Sequence, residues 1–290
     1  MVSRMNQDSR PPAEVLSDLK SNRKHFADLI DDRKQTDQPE KPLTARSIKP
    51  ILNAENARNP GLNAIRCKDE DELVRILKAL PDGGKGEGHI RFHLGIVMGV
   101  HSVAVDAFRH ADGRFSLVAI DSMAKDMTRS KMRKITEAHP DTFHGAIVLP
   151  TLNQTHIEGC PIFAVNNLLG MHEFEPYVKE LHKGLMPPIK WKNHGNSVLA
   201  PEDPKDTFKV LPAKFFKHIQ GGSRLVTAEE RNPAFKTETV NKKDETLRAR
   251  FQNRNPELEM EAFGNFDRTS SLDKKRLVYL DRAIVHYSAL

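Results

Sequence analysis

The sequence predicts a protein of mixed helices and strands with one main domain. Apolar, β-branched runs typical of strands are concentrated in residues 45–220, and both ends of the chain are charged with apolar residues at helical spacing. With 290 residues the chain is long enough to bury one substantial core. We therefore expect a central domain over 45–220, with the segments 1–44 and 221–290 packing together beside it.

The composition argues against a membrane-spanning helix and against a disulfide scaffold. The mean hydropathy is −0.56, and no run approaches the length of about 18 uncharged apolar residues that a spanning helix needs. The first residues, MVSRMNQDSR, contain no apolar region typical of a signal peptide. Two cysteines, Cys67 and Cys160, favour a reducing compartment. The net charge of +6, with a pI near 9.2, predicts a polyanionic partner.

The first part of the chain is predicted to contain two helices, a linker between them and a break after the second helix. Residues 15–34 carry apolar side chains at helical spacing, and QTDQPEKPLTA (35–45) is predicted to be a linker. DEDELVRILKAL (69–80) predicts an amphipathic helix whose opening acidic residues suit the positive end of the helix dipole. The glycine-rich stretch PDGGKGEG then predicts a break.

A β-hairpin is predicted in the middle of the chain, and its loop length decides what its strands bring together. HLGIVMGVHSVAVDAF (93–108) and FSLVAIDS (115–122) flank the loop sequence RHADGR. A three-residue loop with Gly113 at positive φ puts His101 and Asp121 on one sheet face as diagonal neighbours, roughly 7–8 Å apart. A two-residue loop puts them on opposite faces. The sequence leaves both loops open.

Cys160 lies where a polar segment changes into a predicted buried helix. HGAIVLP (144–150) predicts a further strand, and PIFAVNNLLGMHEF predicts the helix, with Pro161 at its start. The dipole and unpaired N–H groups of a helix N-terminus stabilise a thiolate, so the position makes the Cys160 sulfur nucleophilic. Gln154, six residues upstream, carries an amide suited to donate to an oxyanion.

Together these side chains fit the chemistry of acyl transfer. In that chemistry a histidine takes the proton, an aspartate orients the histidine, a cysteine attacks, and an amide holds the oxyanion. Each residue also has an ordinary structural interpretation, because a cysteine before a helix is often a small core residue and a histidine in an apolar strand is often buried and hydrogen-bonded. The residue types alone leave both interpretations open.

Several motifs resemble the YopJ/AvrA/HopZ family of secreted bacterial effector acetyltransferases. They are HSVAVD from His101, IDS containing Asp121, and Gln154 followed by CPIF from Cys160. The likeness continues in LPAKFFKHIQG (211–221) and VNKKDETLRARF (240–251). Upstream, IKPILNAENARNPGLN (48–63) is similar to the segment that precedes the family's catalytic residues. The resemblance covers about residues 45–255.

The resemblance implies an α+β fold, with a papain-like cysteine-protease core of the ubiquitin-like-protease kind. A mixed sheet would lie between helices, beside a regulatory part built from both chain ends. The implied triad is His101, Asp121 and Cys160, with Gln154 at the oxyanion site. Lys217 matches the family lysine associated with self-acetylation.

Two departures from the family pattern lie within these motifs. Gly159-Cys160-Pro161 stands where many members have Glu-Cys-Gly, and Asp121 stands where many have glutamate. Proline has no N–H, so oxyanion donation would come from the N–H of Cys160 and from Gln154. The shorter aspartate must approach His101 more closely than a glutamate would.

The resemblance also implies ligands, partners and a location. The co-substrate would be acetyl-CoA and the activator inositol hexakisphosphate (IP6). Candidate binding residues for these phosphate-rich ligands are Arg58, Lys242, Lys243 and Arg250. The protein would be secreted by a type III system and act inside the host cell, where it would acetylate Ser, Thr or Lys of proteins such as kinases. We expect no metal and no DNA partner, since no spacing typical of a metal site and no nucleic-acid motif is present.

Two other function classes remain open on the sequence. The same triad would serve a cysteine protease acting on ubiquitin-like proteins, because both reactions pass through a thioester and differ only in the nucleophile that resolves it. A catalytically weak effector that binds host proteins is the other alternative, and Pro161 is the feature that favours it.

Overall fold

The computed structural model describes residues 8–31, 40–80, 88–96, 101–123, 126–154, 159–254 and 270–290. Its strands are β1 (Ala64–Cys67), β2 (Gly88–Ile96), β3 (His101–Arg109), β4 (Phe115–Asp121), β5 (Phe143–Pro150), β6 (Trp191–His194) and β7 (Val198–Pro201). Its α-helices are α1 (Pro12–Asp31), α2 (Glu40–Arg58), α3 (Glu70–Lys78), α4 (Asp126–Ala138), α5 (Cys160–Glu173), α6 (Glu175–His182), α7 (Thr207–Val210), α8 (Gly222–Arg231), α9 (Leu247–Arg254) and α10 (Ser270–Ser288). Short 3₁₀ turns cover Pro204–Asp206, Ala213–Phe216 and Pro233–Lys236.

Within these residues the strands form one mixed sheet in the order β1-β2-β3-β4-β5-β7-β6. The pairs β1–β2, β4–β5 and β5–β7 are parallel, and the pairs β2–β3, β3–β4 and β6–β7 are antiparallel. The central strands β3 and β4 are almost wholly buried, so their ends are held by the most rigid part of the fold.

Helices cover both faces of the sheet, and each face has its own apolar core. Side chains of α3 and α4, such as Leu73 and Met132, pack with Val105 on one face. The apolar helix α5 packs on the other face, where Phe163 belongs to the same cluster as Ala104. The alternation of side chains along a strand sends neighbouring residues of β3 into these two cores.

The N-terminal and C-terminal helices pack together over the α5 side of the molecule. Arg282 of α10 donates to Glu55 of α2 at 2.9 Å, and Asn53 of α2 donates to the Tyr287 hydroxyl at 2.8 Å. Helix α10 thereby lies next to the helix that begins at Cys160. No helix in the described ranges is long and apolar enough to cross a bilayer.

Three details of the predicted elements were wrong. The run 93–108 is not one strand but parts of β2 and β3, which pair antiparallel with Ile96 opposite His101; residues 97–100 lie outside the described ones. The predicted linker is helical from Glu40, and the rest of it, 35–39, lies outside the described residues. In the C-terminal segment, whose spacing is helical, Lys242 and Lys243 lie in a turn before α9 rather than in a helix.

Candidate active site

The β3–β4 hairpin brings His101 and Asp121 together. Its loop has Gly113 at φ +87°, and Ala104 stands opposite Ile120, which is the register that a three-residue loop produces. His101 Nε2 consequently lies 2.7 Å from Asp121 Oδ1, with both side chains buried. Of the two loops that the sequence left open, the structure has the three-residue one, with its left-handed glycine and the His–Asp pair.

Two further donors hold the Asp121 carboxylate in place. The backbone N–H of Met123 donates to Oδ1 at 2.8 Å, and the Thr128 hydroxyl donates to Oδ2 at 2.5 Å. Thr128 is fully buried in the first turns of α4. The sequence analysis missed Thr128, although a threonine at the start of a helix that follows the acidic residue was a visible signal.

Cys160 is the first residue of α5, as predicted, and its side chain is buried. Gly159 occupies the N-cap position without a side-chain cap, and Pro161 follows in the first turn. A side chain at position 159 would displace Leu272, because a Cβ there would lie 2.6 Å from Leu272 Cδ2. The C-terminal helix α10, which carries Leu272, therefore borders the residue next to the candidate nucleophile.

The electrostatics of His101 favour a charged ring. Burial opposes that charge, but the hydrogen bond with Asp121 and the neighbouring Cys160 outweigh it and raise the pKa of His101 to about 9. Nε2 is directed at Asp121, and the other ring nitrogen, Nδ1, is buried. The ring therefore interacts with both Asp121 and Cys160.

Gln154 lies in a constrained segment that follows β5. Leu152 in this segment has φ +55°, a left-handed conformation that is unusual for a side chain of its size. Arg224 of α8 donates to the carbonyls of Leu152 at 2.7 Å and Gln154 at 2.5 Å. Ser122 donates to Gln154 Oε1 at 2.6 Å, which directs the amide nitrogen of Gln154 away from Ser122. Arg224 and Ser122 are site residues that the sequence analysis missed.

A group of cations lies where Lys217 and α9 approach α10. We call Lys217, Arg250, Arg254 and Lys275 the basic cluster. After burial, these four charges are the causes that hold the pKa of the buried His218 well below its ordinary value. Arg250 Nε also donates to the Lys217 carbonyl at 3.0 Å.

Two lysines of the basic cluster are electrostatically crowded. Burial, followed by repulsion from Lys275, lowers the pKa of Lys217 to about 8. Burial, followed by repulsion from Arg282, lowers the pKa of Lys275 to about 8. Such a cluster is suited to an anion that would neutralise it.

The other predicted phosphate-binding residues lie on exposed surfaces. Arg58 is exposed at the end of α2, and Lys242 and Lys243 are exposed in the turn before α9. Hydrogen bonds from Asn253 and Asn241 lower the pKa of Glu245, and the nearby charges of Arg250 and Lys243 add to this effect. Glu245 lies 3.6 Å from Arg250. The turn is therefore a neighbour of the basic cluster, whereas no contact in the described residues joins Arg58 to it.

A second His–Asp group lies on β2, β3 and α6. Within the described ranges, His89, Asp106 and His182 are the one set of metal-ligand side chains whose donor atoms lie within 4.8 Å of one another. Arg91 is fully buried beside them, with Nε 2.9 Å from Asp106 Oδ2. Because Arg91 already supplies the positive charge that a metal would bring, we interpret this group as a buried ion pair that fixes α6 to the sheet.

Comparison with known proteins identifies relatives over most of the chain. The model of the YopJ serine/threonine acetyltransferase family matches residues 15–282. The serine/threonine-protein acetyltransferases YopJ of Yersinia pestis and of Yersinia pseudotuberculosis are 27% identical over 210 residues, which cover 70% of this chain and 69% of each relative.

Solved structures of two other proteins share the fold. A deletion variant of AvrA, solved with IP6 and CoA, aligns with a TM-score of 0.71 at 22% identity and covers 92% of this chain and 98% of that chain. HopZ1a in complex with IP6 and CoA aligns with a TM-score of 0.72 at 18% identity and covers 95% and 97%. The predicted α+β fold with a papain-like core is confirmed.

Proposed function

The chain belongs to the YopJ serine/threonine acetyltransferase family, and from this premise we propose that Cys160, His101 and Asp121 are its catalytic triad. The observation that carries the proposal is the buried His101–Asp121 hydrogen bond of 2.7 Å beside a cysteine that begins a helix. We propose that the triad moves acetyl from acetyl-CoA to Ser, Thr or Lys side chains of host proteins such as kinases, after type III secretion into the host cell.

The geometry supports a two-step transfer. The proton of the Cys160 thiol passes to His101, whose raised pKa of about 9 favours the charged ring, and the resulting thiolate attacks the thioester carbonyl of acetyl-CoA. The tetrahedral oxyanion collapses to acetyl-Cys160 while the leaving CoA sulfur receives the proton from His101. The acceptor hydroxyl or amine then attacks acetyl-Cys160, again with His101 as the base, and the thiol is restored.

The proposed oxyanion site uses the N–H of Cys160 and the amide of Gln154. Pro161 contributes no N–H, so stabilisation of the oxyanion depends more strongly on the amide of Gln154 and on its fixed orientation. The bonds from Ser122 and Arg224 to the Gln154 residue support this role, because preorganised donors stabilise an oxyanion without reorganising during the reaction.

We propose that IP6 binds the basic cluster and activates the enzyme. The crowded charges of Lys217 and Lys275, whose pKa values are both lowered to about 8, fit a polyanion. Lys242 and Lys243 would extend the site from Arg250 of the cluster along the turn before α9, and Arg58 stays a separate prediction. Before IP6 binds, the pKa of about 8 leaves much of the Lys217 amine neutral and nucleophilic near pH 8, so Lys217 suits self-acetylation in the ligand-free state.

The test is intact-mass spectrometry of the full chain with acetyl-CoA, with and without IP6. We expect an acetyl adduct on Cys160. Cys160→Ala should abolish this adduct, and with it acetyl transfer and self-acetylation. The matched control is Cys67→Ala, which removes the other buried thiol and should keep the adduct. Replacing either sulfur should change the free energy of unfolding by only about 1–2 kcal/mol. Acetylation by Cys160→Ala, or cleavage of a ubiquitin-like substrate without acetyl transfer, would contradict the proposal.

A further inference from the structure

The helix that begins at Cys160 has little to fix its first turn from within. Its N-cap residue, Gly159, has no side chain to accept from the following N–H groups. Pro161 lacks an N–H altogether. A helix start that carries a nucleophile but no cap of its own must be held by other parts of the molecule.

His93 provides such an external contact from the sheet. It lies on β2 between β1 and β3, opposite Arg66 on one side and Ala104 on the other. Its side chain is buried, with Nε2 3.1 Å from the carbonyl oxygen of Pro161. A carbonyl can only accept, so the imidazole donates Nε2–H.

The surroundings of His93 keep its imidazole ring uncharged, so that Nε2–H always acts as the hydrogen-bond donor. Burial, helped by the Arg66 charge, lowers the pKa of His93 to about 3. The ring is therefore uncharged at every pH at which the protein would work, and its single proton stays on Nε2. Nδ1 is buried without a hydrogen bond to the described residues, so packing alone would be served better by an apolar ring.

We propose that His93 is a positioning residue, which holds the first turn of α5 so that the Cys160 sulfur faces His101. The proposal rests on the proposed role of Cys160 as the nucleophile. His93 does not exchange protons with the substrate; it fixes the carbonyl of the residue directly after Cys160. A displacement of about 1 Å at a reacting atom costs on the order of 100-fold in rate, so this bond affects the rate far more than it affects binding.

The test compares an apolar and an amide replacement in a Cys67→Ala background, where Cys160 is the remaining thiol. His93→Phe fills the space without a donor, and His93→Gln keeps an N–H that can reach the Pro161 carbonyl. We measure the single-turnover rate of acetyl-Cys160 formation and the alkylation of Cys160 by iodoacetamide from pH 6 to pH 10, well below each variant's melting temperature.

We expect His93→Phe to slow acetyl-Cys160 formation by about 10- to 100-fold, with little change in the KM for acetyl-CoA. His93→Gln should recover most of the rate, and its alkylation profile should keep the wild-type midpoint because His93 does not titrate in that range. Wild-type rates in a folded His93→Phe, or equal rates in the two variants, would overturn the proposal.

Two controls keep the outcome decisive. If His93→Phe does not fold, His93→Leu replaces it, and failure of both to fold would make His93 a folding residue and refute the positioning role. If the wild-type protein forms no acetyl-Cys160, the proposed function fails, while the alkylation rates still report whether His93 positions the sulfur.

Discussion

At the scale of single residues, the structure accounts for the aspartate at position 121. A shorter acidic side chain must approach the imidazole closely, and the hairpin register provides that approach with a 2.7 Å hydrogen bond. The Met123 N–H and the Thr128 hydroxyl also donate to the carboxylate, so that each of its oxygens accepts at least one hydrogen bond. These donors fix the carboxylate in the position that orients the histidine.

Replacing Asp121 with Asn should lower the pKa of His101. The substitution keeps the shape but removes the charge that offsets burial, so the pKa should fall from about 9 to its ordinary value near 6.5 or below. Acetyl-Cys160 formation should drop by about 10³-fold or more. NMR titration of the His101 ring and single-turnover kinetics measure the two effects, and an unchanged ring pKa would remove Asp121 from the triad.

The same pair should make stability depend on pH. Because folding raises the pKa of His101 from about 6.5 to about 9, its contribution is complete below pH 6.5 and is lost as the pH rises through 9. A shift of that size corresponds to about 3 kcal/mol. Urea unfolding measures the free energy of unfolding of wild type and Asp121→Asn at pH 6 and pH 10. The two proteins should differ strongly at pH 6 and much less at pH 10. The same difference at both pH values would contradict this pH dependence.

Thr128→Val should slow the reaction while the fold persists. The substitution keeps the volume but removes the 2.5 Å bond to Asp121 Oδ2, so we expect about a 10-fold loss in the rate of acetyl-Cys160 formation. Thr128→Ser keeps the hydroxyl and should retain most of the rate. Thr136→Val, on the same helix but bonded to Met132 and Ser197, is the matched control. Equal rates in Thr128→Val and Thr136→Val would contradict a role for Thr128.

At the scale of secondary-structure elements, short-range patterns were predictable and long-range pairings were not. The Asp-Gly turn of the β3–β4 hairpin and the start of α5 at Cys160 follow from local turn and helix chemistry. The division of 93–108 into two paired strands was missed, because a continuous apolar run shows no internal boundary. Arg224 was missed for a different reason, since its bonds to the loop at Leu152 and Gln154 join residues far apart in the sequence.

Arg224→Met should loosen the loop that carries Gln154. It removes two donors to loop carbonyls and leaves Leu152 in a left-handed conformation without that support, which costs about 1–3 kcal/mol of stability. We expect acetyl-Cys160 formation to slow by about 10-fold or more, since one oxyanion donor loses its position. Arg231→Met on the same helix, which breaks ion pairs to Asp203 and Asp206, should lose stability without this loss of rate. Equal kinetics in the two variants would refute the role.

At the scale of the whole molecule, the basic cluster is a part of the site whose members could not all be predicted from the sequence. The charge excess predicted a polyanionic partner, and the adjacent Lys242 and Lys243 were the visible local signal. The cluster itself draws on Lys217, α9 and α10, whose cations meet only after the chain ends have packed together. Lys217 and Lys275 differ from exposed lysines because they are largely buried next to other cations, and this can be seen only in the folded structure.

Binding of IP6 should draw protons from solution. With pKa values of about 8, Lys217 and Lys275 are each about half protonated at pH 8, and a bound polyanion should raise both values toward 10.5 or above. Linkage then requires the uptake of about one proton per chain at pH 8 from these two groups, and almost none at pH 6, where both are already charged. Without ligand, the same groups should make the protein more stable as the pH rises from 8 to 10.5, because the unfolded chain binds more protons there.

Isothermal titration calorimetry at pH 8, in buffers of different ionisation enthalpy, measures that uptake. Protons exchanged by IP6 itself are common to all variants and cancel in differences, so Lys217→Met/Lys275→Met should bind with about one proton less than wild type. Lys242→Met/Lys243→Met removes two exposed charges and should weaken binding, more so at low salt, while the proton uptake by Lys217 and Lys275 remains. Uptake that is the same in wild type and in Lys217→Met/Lys275→Met would place the activator elsewhere than the basic cluster.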